Sequence, residues 1–217
     1  LTARAHTLRG DFSLASEAYR LAVARAPELA DAHAGLAAVH AELGRADRAL
    51  EAYRRAVELD DSHRWSRTYG QLALEAGQVD EAIEALEAHL QSAPGDASAK
   101  RDLARAYAAN GDTDAAIEAL RSAVSLSPER AEWHMELGDV YRRRGDSEQA
   151  HAAYRRATEL EPDDSRFRLA EARALLDDGA VGAAREQIEA ARKSAPDSRD
   201  VALMIGRIAL DEGDLES

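Results

Sequence analysis

Apolar and charged residues are interleaved along the whole chain in stretches of about 13 residues without internal proline, such as 97–110 and 114–126. Alanine, leucine, glutamate and arginine dominate these stretches, and all four form helices readily. No apolar run approaches the roughly 18 residues that a membrane-spanning helix needs. The pattern therefore predicts a folded chain of many short helices.

Glycine and proline separate these stretches at a fixed period. Seven of the 13 glycines fall 33 or 34 residues apart, namely Gly10, Gly44, Gly77, Gly111, Gly145, Gly179 and Gly213. All five prolines follow one of these glycines by 17 residues, namely Pro27, Pro94, Pro128, Pro162 and Pro196. A left-handed glycine closes a helix, an Asp or Ser just beyond it can cap the next helix, and proline stops the chain from continuing. Each unit is therefore predicted to be helix, tight turn, helix, turn.

Small and large residues also recur at fixed distances from the periodic glycines. Seven residues before them lie Ala3, Ala37, Gly70, Ala104, Gly138, Ala172 and Gly206, and nine after them lie Tyr19, Tyr53, Leu86, Leu120, Tyr154 and Ile188. We expect the large side chains to pack against the small positions, where helix backbones can approach closely. Gly35, Gly95 and Gly182 fall outside this periodic pattern.

The sequence resembles the tetratricopeptide repeat family over essentially its whole length. Residues 131–164 follow the family pattern through Leu137, Gly138, Tyr141, Gly145, Ala150, Tyr154, Ala157 and Pro162. The resemblance implies an all-α, right-handed solenoid of antiparallel helix pairs, with first helices lining a concave groove and second helices covering the outside. The predicted repeats are a partial one at 1–29 (mainly second helix), then 30–62, 63–96, 97–130, 131–164 and 165–198, and the first helix of a further, truncated one at 199–217. We expect the chain to be a piece of a longer array or multidomain protein.

The third repeat departs from the pattern. The spacing between Gly44 and Gly77 is one residue short, and His89 occupies a slot that holds alanine in the other repeats. A larger side chain in a close-packed seam should shift the local stacking. A compensated packing variation is the favoured interpretation, with a functional kink or ligand site as the alternative.

Composition restricts the chemistry. The net charge of -13 disfavours nucleic-acid binding, and the absence of cysteine excludes disulfides, thiol nucleophiles and thiolate metal sites. The seven histidines lack close metal-ligand spacing, and no phosphate-binding glycine loop or GxSxG turn occurs. The acidic pairs at predicted helix ends fit capping better than acid-base catalysis. The segment is predicted to be non-catalytic, without cofactor or metal, although a fused enzyme stays open.

The candidate binding residues lie on the first helices, three, six and ten residues before each turn glycine, with a fringe at nine and thirteen. Repeat two presents Ala34, Ala38 and Ala41, which are featureless. Repeats three and four present a basic patch of Arg64, Arg67, Gln71, Arg101 and Arg105, with Asp102 beside it. These guanidinium groups could bind carboxylates of a partner. Alternatively they pair within the chain, for example Asp102 with Arg67 or Arg105 with Asp139, at roughly 0–1 kcal/mol each.

The later repeats carry Asp139 and Arg173 on the same line, and then an apolar series of Met135, Leu169, Leu176, Leu203, Met204 and Leu210. Apolar side chains on a predicted exposed face usually mean that something covers them. The candidates are an apolar anchor of a bound peptide, downstream repeats, or a dimer mate. The carboxylate clamp by which some family members hold chaperone tails is not expected, because Asp102, Glu132 and Glu136 occupy three of its five positions.

The function predicted from these patterns is a non-catalytic scaffold that binds a partner peptide or helix, with acidic and apolar residues, in the concave groove. The first alternative is an oligomerisation element. The second is an accessory arm of a larger enzyme or of an envelope export or assembly complex.

Overall fold

The computed structural model describes residues 2–211, with the side chains of residues 3–209. All regular structure in this part of the chain is α-helical. The helices are α1 (Thr2–Arg9), α2 (Phe12–Arg25), α3 (Ala30–Glu42), α4 (Ala46–Glu58), α5 (Ser66–Glu75), α6 (Val79–Ser92), α7 (Ala97–Asn110), α8 (Thr113–Leu126), α9 (Ala131–Arg144), α10 (Ser147–Leu160), α11 (Ser165–Asp177), α12 (Val181–Ser194) and α13 (Arg199–Asp211). None of these helices is both long and apolar enough to cross a membrane.

The periodic glycines end the first helices as predicted. The six that lie in the described part of the chain all have positive φ, and Gly111 and Gly145 follow α7 and α9 with φ of 90° and 89°. This left-handed conformation is available to glycine at no steric cost, so the chain reverses within two residues and begins the next helix. Gly213, the seventh periodic glycine, lies outside the described residues.

The predicted capping by residues after these glycines is only partly correct. Asp11 and Asp146 hold the N-cap positions of α2 and α10, but their side chains make no cap hydrogen bond. Asp146 pairs instead with Arg144, whose charge attracts the carboxylate more strongly than a neutral amide does. The side-chain caps lie before first helices, where Asp96 accepts from the Ala99 amide and Asp164 from the Arg166 amide.

Two compact units make up the chain, Leu1–Gly111 (unit 1) and Asp112–Ser217 (unit 2). The boundary falls inside the repeat predicted at 97–130. Unit 1 has a core that extends from Ala34 through Tyr69 and Leu86 to Leu103. Unit 2 has core clusters around Phe167, around Tyr154 with Ala174, and around Leu169 with Ile188.

Inside the helix pairs, two glycines of first helices contact large side chains of second helices. A Cβ atom on Gly70 would lie 2.8 Å from Cγ of Leu86, and one on Gly138 would lie 2.6 Å from Cε1 of Tyr154. No side chain could be added at either glycine without moving its neighbour. The predicted contact of large with small residues is therefore confirmed at these two pairs, and so is the all-α architecture of stacked helix pairs.

Candidate functional site

The predicted basic patch lies in unit 1, and three of its four arginines, Arg64, Arg67 and Arg101, have carboxylate partners. Arg64 precedes α5, where its guanidinium stacks 3.9 Å from the centroid of the Trp65 ring and pairs with Asp31 of α3. Nη1 of Arg67 lies 3.2 Å from Oδ2 of Asp96. Both guanidinium groups are therefore held in place by the chain itself.

Asp102 of α7 is the centre of a polar cluster that joins α5 to α7. It is only 6% exposed. Its Oδ2 accepts a hydrogen bond of 2.6 Å from Gln71 and lies 3.6 Å from Nη2 of Arg67, while its Oδ1 lies 3.5 Å from Nη1 of Arg101. The predicted pairing of Asp102 with Arg67 is confirmed. A buried carboxylate needs such partners, so these side chains stabilise unit 1 as well as lining its surface.

His89 of the irregular third repeat is tied to the same cluster. Its Nε2 lies 3.0 Å from Oδ2 of Asp96, the residue that caps α7. Burial alone would raise the pKa of Asp96, but the Ala99 amide, His89 and Arg67 hold that pKa below its ordinary value because all three stabilise the charged carboxylate. The histidine thus fastens α6 to the start of α7, in a slot where the other repeats pack alanine.

Arg105 differs from the other arginines of the patch. It is exposed and has no ion pair within the described part of unit 1. It lines a cleft of about 370 Å³, which we call the arginine cleft; the lining residues are Ala41, Tyr53, Thr68, Gln71, Leu72, Leu74, Glu75, Arg101, Asp102 and Arg105. Since Asp139 belongs to unit 2, its pairing with Arg105 stays a prediction.

A second cleft, of about 530 Å³, lies beside the first in unit 1, and Tyr53 lines both. We call it the aromatic cleft; its walls include Tyr19, Tyr53 and Trp65, and its floor includes Ala34, Gly35 and Ala38. A Cβ atom on Gly35 would lie 2.2 Å from the Tyr19 ring, so this ring rests directly on the backbone of α3. Ala34, Ala38 and Ala41 of repeat two are therefore not featureless, because Ala34 and Ala38 line the cleft between these rings and Ala41 lines the arginine cleft. Gly35, outside the periodic pattern, was the signal in the sequence.

The apolar series predicted for the groove lies largely in the core of unit 2. Leu169, Leu176 and Met204 are 7%, 8% and 6% exposed, and they pack with Ile188 and Val201. The prediction that they lie on an exposed face is wrong, because these side chains pack into one core cluster formed by α11, α12 and α13. Leu203 is 60% exposed, and the side chain of Leu210 lies outside the described residues.

The remaining predicted site residues lie on α9 and α11. Met135 is half-buried and packs against the clusters around Phe167 and Tyr154. Asp139 accepts a hydrogen bond of 2.8 Å from the Tyr154 hydroxyl, and burial together with this carboxylate raises the pKa of that hydroxyl. Arg173 is exposed and has no ion pair in the described part of the chain.

Glu171 was missed by the sequence reasoning. It lies on α11 eight residues before Gly179, where the preceding repeats have Leu36, Tyr69, Leu103 and Leu137. The side chain is 5% exposed, and burial raises the pKa of its carboxyl although His151, Arg155 and Arg168 act in the opposite direction. Comparison of aligned repeat positions would have found this carboxylate in a leucine slot.

Two histidines have structural roles. Nε2 of His33 lies 2.9 Å from the Pro27 carbonyl oxygen, and Nε2 of His134 lies 3.0 Å from that of Pro128. Both rings thus tie a first helix to the turn that precedes it. Within the described residues, no three histidine or acidic side chains come together in a way that could hold a metal ion.

Comparison with known proteins agrees with the repeat fold. The tetratricopeptide repeat model matches residues 2–64, 42–97, 67–131, 101–165, 135–188 and 169–217, which together span almost the whole chain. No curated protein matches the chain significantly in sequence.

Solved structures with a similar fold include three bacterial proteins. MamA from Desulfovibrio magneticus is 26% identical, with 74% of this chain and 91% of that chain covered and a TM-score of 0.67. A thermophilic repeat protein from Thermus thermophilus is 25% identical, with 83% and 99% covered and a TM-score of 0.59. A repeat protein from Cytophaga hutchinsonii is 17% identical, with 95% and 83% covered and a TM-score of 0.78. The chain therefore belongs to the tetratricopeptide repeat family, whose repeats serve as scaffolds for protein interactions and are generally non-catalytic.

Proposed function

We propose that the chain is a non-catalytic scaffold that binds a segment of a protein partner on the first-helix face of unit 1. The observation that carries this proposal is the arginine cleft, which combines an apolar wall with an arginine that has no ion pair in the described part of unit 1. Arg105 is available to a carboxylate of the partner, and Leu72 and Leu74 offer apolar contact. The arginine cleft lies on α3, α4, α5 and α7, which share one core, so little conformational entropy is lost on binding.

The basic patch acts in two ways in this proposal. Arg64 and Arg67 are oriented by Asp31, Asp96 and Asp102, and their main contribution is to hold the helices in register. Arg105, at the edge of the same patch, selects acidic residues of the partner. Met135, Leu169 and Leu203 are not the seat for an apolar anchor of the peptide, since Leu169 is buried in the core of unit 2.

Selection from a random twelve-residue peptide library displayed on phage tests the proposal. The selected peptides should contain Asp or Glu, and Arg105→Glu should raise Kd about tenfold, which corresponds to about 1.4 kcal/mol. This loss should shrink when salt is raised from about 0.1 M to about 1 M, because exposed charges are screened. Isothermal titration calorimetry provides the measurement.

Arg20→Glu is the matched control for this charge change. Arg20 is exposed on α2, lines neither cleft, and has no ion pair among the described residues. Binding unaffected by Arg105→Glu, or equally weakened by Arg20→Glu, would refute the proposed role of the arginine cleft.

A further inference from the structure

We infer that the aromatic cleft is the seat for one bulky apolar side chain of the bound segment, best an aromatic one. This inference rests on the proposed function and adds the second chemical element that the partner must carry. The partner is a peptide segment with an aromatic or large aliphatic residue close to an acidic residue.

The rings of the cleft are held in place by contacts with the chain itself. Tyr19 lies against the backbone at Gly35, Tyr53 is 9% exposed in the core of unit 1, and Trp65 carries the Arg64 guanidinium on its face. A cleft with such fixed walls changes little on binding, and its volume of about 530 Å³ is within the range of ligand pockets. Aromatic side chains around small residues favour an aromatic ring of the ligand, since pairs of aromatic rings gain interaction free energy beyond that of their buried area.

The charges at the rim favour an uncharged side chain in the cleft itself. Arg64 is paired with Asp31, so this pair presents little net charge to a ligand. Arg4 is the other charged lining residue, and it is exposed. Its positive charge favours a partner that is acidic next to its apolar residue, in agreement with Arg105 at the neighbouring cleft.

The spacing on the partner follows from the shared wall. Tyr53 borders both clefts, which lie along successive first helices. Packed helices are about 8–10 Å apart and an extended peptide advances about 3.3 Å per residue, so the apolar and acidic residues should be about two to four positions apart.

A double-mutant cycle tests the inference on the full chain. The tightest peptide from the library and its variant with the bulky residue changed to alanine are titrated against wild type and Ala38→Leu, which fills the floor of the cleft. Loss of the bulky side chain should raise Kd about 10- to 100-fold with wild type. Ala38→Leu should weaken the parent peptide by a similar factor and leave the alanine peptide unchanged. Ala109→Leu, an exposed position on α7, is the size-matched control and should change neither value.

The possible outcomes separate the two proposals. If Arg105→Glu weakens binding but Ala38→Leu weakens both peptides equally or neither, the aromatic seat is wrong and the scaffold proposal stands. Self-association that Ala38→Leu abolishes would assign the cleft to a second copy of the chain and overturn the inference.

A fluorescence measurement covers the case in which Ala38→Leu does not fold. Trp133→Phe leaves Trp65 as the single tryptophan of the chain. The parent peptide should then shift Trp65 emission to shorter wavelength, and the alanine peptide should not. An unchanged spectrum with saturating parent peptide would contradict the seat.

Discussion

Helix α5 of unit 1 and helix α11 of unit 2 occupy equivalent places in their repeats but exchange polar and apolar residues. Ten residues before the turn glycine, α5 has Arg67 and α11 has Leu169; eight residues before it, they have Tyr69 and Glu171. Arg67 forms ion pairs and has about a third of its side chain exposed, whereas Leu169 is buried. The position in the repeat therefore does not decide alone whether a residue lies at the surface.

The physical chemistry of the two side chains accounts for this difference. A guanidinium group that is buried without partners is costly, so Arg67 stays partly exposed among the carboxylates of Asp96 and Asp102. Leucine gains free energy when it is removed from water, and Leu169 packs with Val201 and Met204 of α13. The same repeat position is thus partly exposed among carboxylates at Arg67 and buried in the core at Leu169.

The largest expected effect is the loss of the core contact in unit 2. Leu169→Ala should lower the free energy of unfolding by about 2–5 kcal/mol, because it removes buried surface and leaves a cavity. Leu203→Ala, on the exposed side of α13, should change it by at most about 0.5 kcal/mol. Urea denaturation followed by circular dichroism measures both. Equal losses in the two variants would mean that the apolar series does not divide into core and surface.

A smaller effect is expected from the buried carboxylate of α11. Glu171→Leu should raise the free energy of unfolding at pH 7 by about 1–3 kcal/mol, because a desolvated charge is replaced by the apolar residue found at this position in other repeats. Glu159→Leu, on the exposed side of α10, should have little effect. If Glu171→Leu instead destabilises the chain, His151, Arg155 and Arg168 fully compensate the free-energy cost of burying the carboxylate.

The pH dependence gives an independent check of the same residue. The pKa of Glu171 in the folded chain is above its ordinary value of 4.5, so the folded state binds the proton more tightly than the unfolded state. Stability contributed by this group is present below pH 4.5 and is lost as the pH rises through the raised pKa. The leucine variant should lose less stability than wild type over that interval.

Much of the fold follows from local rules that the sequence displays. Helix ends depend on single residues, and the positive φ at Gly111 and the turn after it follow from the periodic glycines. The capping role expected of Asp146 fails because a competing charge, Arg144, lies within reach, and the sequence does not reveal such competition.

The candidate site was less predictable because it depends on which side chains neighbouring helices bring. The pairing of Arg67 with Asp102 could be predicted from spacing, but the burial of Leu169 depends on α13. The aromatic cleft depends on three rings from three different parts of unit 1, and the alanines of α3 carry no sign of it. Small residues can be recognised as part of a cleft only when the side chains that surround them in the fold are known.

The most direct test of the central proposal is to map where a bound peptide contacts the chain. Backbone amide chemical shifts of the isotope-labelled chain should be recorded during titration with the tightest library peptide. We expect the shifts to be concentrated in α3, α5 and α7 of unit 1, around Ala38, Trp65 and Arg105. Shifts concentrated in unit 2 instead would contradict the assignment of binding to the first-helix face of unit 1.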